Sequence, residues 1–145
     1  MFTRKWKKSS DELDMSSKDP AQKYFDKNMT ERERAIFEGG IGLAAIYHQF
    51  IGTPVNGEKG SLEKLEKAIQ EAALLQPYKK SVKVKLNIPS NLSDNGTYNY
   101  RSLEGQDFDV TIISEYGSYK ATSRMKYIHE LKYVLMYVEK IEKTS

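Results

Sequence analysis

Cysteine is absent from this 145-residue chain, which excludes disulfide staples, thiolate nucleophiles and every metal site built on sulfur. Histidine is nearly as scarce, with two residues. No second histidine or aspartate stands at ligand spacing to His48, so no metal centre is expected. No apolar run approaches the roughly 20 residues that span a bilayer. The basic start, MFTRKWKKSS, runs into DELDMSSKD instead of an apolar stretch, so it does not read as a secretory signal. Charge of one sign is also lacking. Of the net +3, residues 1–18 supply +2, with five cations against three acids. The remainder is close to neutral and offers no electrostatic case for nucleic acid. Walker A, GxGxxG, HExxH and nucleophile-elbow patterns are missing too. These absences fit a cytoplasmic protein without a membrane partner.

What is present reads as one folded domain, because 39% hydrophobic residues beside 30% charged ones is a globular balance. Residues 1–18 are polar and read as a flexible tail, leaving 19–145 as the domain. Asp19-Pro20 reads as N-cap and first position of a short helix through AQKYFDKN. Thr30 and Glu33 form a T-x-x-E capping box, and Gly52 with Pro54 supplies a stop, so about 20 residues between them form a long helix. A second helix is expected from Ser61 to just before Pro77. There Leu62, Leu65, Ala68, Ile69, Ala72 and Leu75 recur at helical spacing, with Glu63, Lys64, Glu66, Lys67 and Glu71 toward water.

The period then changes to two. SVKVKLNI alternates as a half-buried strand, and PSNLSDNGT reads as a loop. FDVTIIS and SYKATSRMKY follow as strands joined in a hairpin near Tyr116-Gly117. KYVLMYVEKI is ambiguous by periodicity, and its Tyr and Val content favours a strand. Helices first and strands afterwards predict an α+β fold, with the helices packed on one face of an antiparallel sheet.

The chemistry centres on Glu38. From Ala35 to Gly57 it is the only formally charged side chain, in a helix apolar enough to be enclosed on most faces. A carboxylate there needs donors, either a structural Arg or Lys or a ligand. Gly39, Gly40 and Gly42 each cost a helix interior about 1 kcal/mol, which close approach of another helix or of a ligand offsets. At 100° per residue, Ala45 and Gln49 lie about 20° to either side of Glu38, and His48 about 80° away. His48 reads equally as a hydrogen-bonded core residue, whereas His129 falls in a turn. Gln76, before Pro77, can cap the helix or direct an amide into a pocket. Tyrosine is abundant, with ten copies. Most such residues rim a core, but a phenol in a cleft can relay protons. Strand parity puts Tyr133 and Tyr137 on one face.

Four segments, ERERAIFEGGIGLAAIYHQFIGTPV, SLEKLEKAIQEAALLQP, YRSLEGQDFDV and LMYVE, resemble the archaeal type of dihydroneopterin aldolase over roughly residues 20–140. The tail and PSNLSDNGT lie outside the resemblance. It implies a metal-independent, cofactor-free retro-aldolase of methanopterin-type biosynthesis, acting on a pterin as a homo-oligomer, a tetramer or larger. By that similarity Glu38 is the substrate anchor, and Gln76 and Tyr100 are binding residues. His48 and a tyrosine carry proton transfer. The tyrosine falls on Tyr137, with Tyr100 and Tyr127 as alternatives. A different class stays open: a non-catalytic small-molecule or RNA-binding module, supported by Lys120, Arg124 and Lys126 on one face of a strand.

Overall fold

The computed structural model describes residues 19–89 and 98–144. The expected tail and all but Pro89 of the PSNLSDNGT loop lie outside the described residues. Helix α1 runs Glu31–Phe50 and is capped as the sequence requires. The Glu33 N–H donates to Thr30 Oγ1 at 3.1 Å, and the Thr30 N–H donates back to Glu33 Oε1 at 2.8 Å. Two N-terminal donors that no helical carbonyl can reach are thereby satisfied. Past the other end, Gly52 takes φ +89, in the left-handed region that releases the chain from the helix. The short strand β1, Pro54–Val55, pairs antiparallel with β3, Arg101–Ser102, and helix α2 spans Lys59–Ala73.

The main sheet holds β2 (Lys79–Leu86), β4 (Phe108–Tyr116), β5 (Tyr119–Ile128) and β6 (Tyr133–Lys143). Its order is β2-β4-β5-β6 and all pairs are antiparallel. Period-two burial is clearest in β4, where Phe108, Val110, Ile112, Ser114 and Tyr116 point inward. Helix α1 lies across β4 and β5, and α2 packs along β2. Leu43 and Ile46 of α1 and Leu62 and Ile69 of α2 close the core against Val82, Val84, Val110, Ile112 and Met125. The α+β expectation and the assignment of the last segment as a strand both hold.

Three local expectations need correction. AQKYFDKN forms a single 3₁₀ turn, Gln22–Tyr24, instead of a short helix; Asp19 Oδ1 still accepts from the Ala21 N–H at 2.9 Å at its start, while Oδ2 is engaged by Arg34 and Tyr116. Leu75 is 70% exposed, since α2 ends at Ala73 and leaves it beyond the packed face. Glu66 does not face water alone: it accepts from the Leu86 N–H at 2.8 Å, and Gln70 accepts from the Val84 N–H at 3.0 Å. Two side chains of α2 thus satisfy two outward donors of edge strand β2, which blunts that part of the edge against further pairing.

Candidate functional site

The flank of α1 beside the sheet carries the most unusual chemistry of the molecule. Arg34 and Glu38 stand one turn apart, and Arg34 Nε donates to Glu38 Oε2 at 2.9 Å. Arg34 NH1 donates to Asp19 Oδ2 at 2.8 Å, and Lys79 Nζ lies 3.5 Å from Glu38 Oε1. Asp19, Arg34, Glu38 and Lys79 therefore form a buried chain of alternating charge. Their side chains are 3%, 7%, 8% and 1% exposed respectively, so none can rely on water for solvation.

The environment acts on these groups in definite directions. Burial pushes the Asp19 carboxyl up, but hydrogen bonds from the Ala21 N–H, Tyr116 hydroxyl and Arg34 outweigh it and hold the group below its ordinary value. Burial pushes the Lys79 ammonium below the usual lysine range, and Glu38 offsets only part of that shift. Burial raises the Tyr78 phenol. The chain enters β2 through Tyr78 at φ 65, a left-handed conformation that costs a non-glycine residue about 1–3 kcal/mol. A register shift between Lys79 and Ser81 follows immediately. Together they turn Lys79 inward, where its Nζ also donates to the Pro77 carbonyl at 3.1 Å. The neighbouring Gln76 has a buried Oε1 with no hydrogen-bond partner. Glu38 and the Gln76–Pro77 bend are thus bridged by one lysine.

The glycines beside Glu38 serve the sheet first. A Cβ on Gly39 would meet Ser123 Oγ at 2.6 Å and Ser114 Oγ at 3.0 Å, and one on Gly42 would meet Ile112 and Lys79 side-chain atoms at 2.8 and 2.7 Å. Close approach to the sheet, sealed by Ser114 Oγ donating to the Ala35 carbonyl at 2.7 Å, accounts for both. Gly40 differs, because nothing lies within 4 Å of its missing Cβ.

The other nominated residues lie elsewhere in the chain. His48 is exposed near the end of α1, about 15 Å beyond Glu38 by helical rise. Its ring meets Tyr47 edge to face, with centroids 5.4 Å apart. His48 lines an open cleft of about 640 Å³ with Tyr47, Gly105, Tyr127, Tyr133 and Met136, a size suited to a small ligand. Of Tyr100, Tyr127 and Tyr137, Tyr127 is the one that shares this cleft with His48, its own ring packed edge to face on His129 at 5.0 Å. Tyr137 sits across from Arg124 on the sheet face turned away from the helices, since the flanking Ser123 and Met125 are the ones buried beneath α1. Glu38 and Tyr137 of one chain are separated by the sheet. Tyr100 is 60% exposed just before β3. His129 is exposed in the β5–β6 turn, as expected. Among the described residues no group of three His, Asp or Glu side chains could hold a metal, and no helix is long and apolar enough to cross a membrane.

The basic strand face is less cationic than its sequence reads. Arg124 donates to Asp109 at 2.7 Å and to Glu139 at 3.2 Å, so its charge is answered on both sides. Arg34, Lys79 and Asp19 escaped the sequence reading. The i, i+4 spacing of Arg34 and Glu38 was the one available signal.

A family model described as dihydroneopterin aldolase matches residues 30–139. A dihydroneopterin aldolase of Methanopyrus kandleri is 45% identical over 123 residues, covering 85% of this chain and 98% of the relative. One from Picrophilus torridus is 37% identical over the same shares. A Picrophilus torridus crystal structure superposes with a TM-score of 0.71 at 31% identity, covering 88% of this chain and 97% of that one.

Proposed function

From the premise that the chain belongs to the dihydroneopterin aldolase family, we propose that it cleaves 7,8-dihydroneopterin into 6-hydroxymethyl-7,8-dihydropterin and glycolaldehyde. The observation that carries the reading is the Glu38 carboxylate, buried in α1 between two cations and bridged to the bend at Gln76. A pterin presents a ring N–H and an amino group side by side, and a carboxylate accepts both. The unpartnered Gln76 Oε1 offers a further acceptor at the bend that Lys79 ties to Glu38.

Cleavage needs a base for the side-chain hydroxyl and an acid for the carbon left behind. As the C–C bond breaks, its electron pair moves into the dihydropterin C=N, generating an enamine that is then protonated. The ring is the electron sink, so the reaction proceeds without a metal or cofactor. His48 and a tyrosine supply the proton relay, with Tyr137 from the family resemblance and Tyr127 from its place in the same cleft as His48. Tyr100, next to β3, is a substrate contact in the same reading.

These groups do not meet within one chain, so the reading includes a homo-oligomer, a tetramer or larger, in which a second copy completes each site. The α1 surface supports it: Phe37 and Ile41 are 48% and 41% exposed beside the uncrowded Gly40, and Ile51, just past the helix, is 39% exposed. The enzyme is then cytoplasmic, serves methanopterin-type biosynthesis, and needs no nucleic acid or membrane. Incubation with 7,8-dihydroneopterin, with and without a chelator, tests it. Equal release of glycolaldehyde in both is expected, and no release overturns the assignment.

A further inference from the structure

We propose that Asp19 and Arg34 are positioning residues for Glu38, fixing its carboxylate so that one acceptor site on each oxygen is left for a pair of adjacent N–H donors on the substrate. The proposal rests on the reading of Glu38 as the pterin anchor.

Arg34 is held with unusual completeness. Its guanidinium carbon stands 3.8 Å from the Phe25 ring centroid, 4.7 Å from that of Tyr116 and 5.5 Å from that of Tyr78. Three aromatic faces thus surround the cation. Asp19 fixes its remaining freedom through NH1, and Asp19 is itself pinned. Its Oδ2 also accepts from the Tyr116 hydroxyl at 3.0 Å, and its Oδ1 from the Ala21 N–H at 2.9 Å. The Nε that reaches Glu38 Oε2 is therefore the end of a rigid chain anchored on β4.

The acceptor count then matters. An ionised carboxylate offers about four lone-pair sites, two on each oxygen. Arg34 Nε takes one on Oε2. The Lys79 ammonium faces Oε1 at 3.5 Å and takes at most one there. One site per oxygen remains, the arrangement that a bidentate donor pair needs. Rotation of the carboxylate would destroy this match, and the caged Arg34 prevents it. Stability does not explain the chain of charges well, because buried ion pairs are commonly no more stabilising than apolar packing of the same volume. Fixing the geometry of one ligand-binding group does explain it.

The test compares full-length wild type with Asp19→Asn, Arg34→Lys and Arg34→Met. Steady-state kinetics on dihydroneopterin are measured beside the Kd for oxidised neopterin, which resembles the substrate without entering the reaction. Circular dichroism checks folding. Arg34→Met is expected to raise KM and Kd about tenfold or more, as for one lost charge-assisted contact. Asp19→Asn should raise both about threefold to tenfold, with kcat within about threefold of wild type. Arg34→Lys should recover part of the loss, because it keeps the charge but cannot span Asp19 and Glu38 at once. Should Arg34→Met fail to fold, Asp19→Asn carries the test, since its amide oxygen retains an acceptor near Tyr116 and Ala21. Folded variants with wild-type KM and Kd, or a loss confined to kcat, overturn the proposal. A wild type that binds neopterin but releases no glycolaldehyde overturns the reaction alone, and the Kd series still decides the positioning role. A wild type that binds no pterin overturns both.

Discussion

Arg34 Nε and Glu38 Oε2 lie 2.9 Å apart, one helical turn from each other, with both side chains buried. The contact is an i, i+4 pair, yet its setting gives it more weight than a surface pair, whose value rarely exceeds about 1 kcal/mol. Removing either member leaves a buried charge without its counter-charge.

Glu38→Gln is therefore expected to act twice. Loss of two charge-assisted bonds to the substrate should lower kcat/KM by about a hundredfold or more. Leaving Arg34 and Lys79 without their shared carboxylate should lower stability by about 3 kcal/mol. Urea denaturation and steady-state kinetics on the same preparation separate the two effects. Unimpaired kcat/KM in the folded variant would remove Glu38 as the anchor.

The tyrosines are distinguished by single oxygen deletions. If Tyr127 relays the proton beside His48, Tyr127→Phe should lower kcat by about 10²–10⁴ while KM stays near wild type. Tyr137→Phe should do so if a second copy brings the outer sheet face to the substrate. Wild-type kcat in both variants rules out a tyrosine at either position as the relay.

Adjacent glycines should respond with opposite sign. Gly39→Ala drives a methyl toward Ser123 and Ser114 of the sheet and is expected to cost about 1–3 kcal/mol. Gly40→Ala meets nothing within 4 Å and should gain about 0.5–1 kcal/mol through helix propensity. Thermal melts of the two variants check this. A destabilised Gly40→Ala, with its oligomer weakened in sedimentation, would show that another copy covers this side of α1.

The pH dependence of stability follows from Asp19 and Lys79. The Asp19 carboxyl is held below its unfolded value near 3.9, so its contribution is present above about pH 4 and disappears as pH falls through the folded value. Asp19→Asn should be less stable than wild type at neutral pH, with the gap closing in acid. The Lys79 ammonium is held below its unfolded value near 10.4, so the folded state releases this proton first. Its burial penalty is therefore relieved as pH rises between those two values, and Lys79→Met should flatten that alkaline rise. Urea titrations across pH read both slopes.

Local signals in the sequence determined the elements. The Thr30–Glu33 box and Gly52 set the ends of α1 because capping is decided by residues within a few positions. Alternation set β2, β4 and β5 because a strand's side-chain period is fixed by its pleat. The sequence also marked Glu38, since one charge in a long apolar stretch must be buried and answered. It could not say by what. Strand parity directs Lys79 away from Val82 and Val84, and only the bulge at Lys79–Ser81 behind a left-handed Tyr78 turns it in. Asp19 reaches Tyr116 across 97 positions, and no local pattern encodes such a contact. Tertiary packing also placed Tyr137 and Glu38 on opposite sides of the sheet, because α1 covers the face that carries Ser123 and Met125. Short-range rules shaped the pieces, and long-range closure decided which charges met.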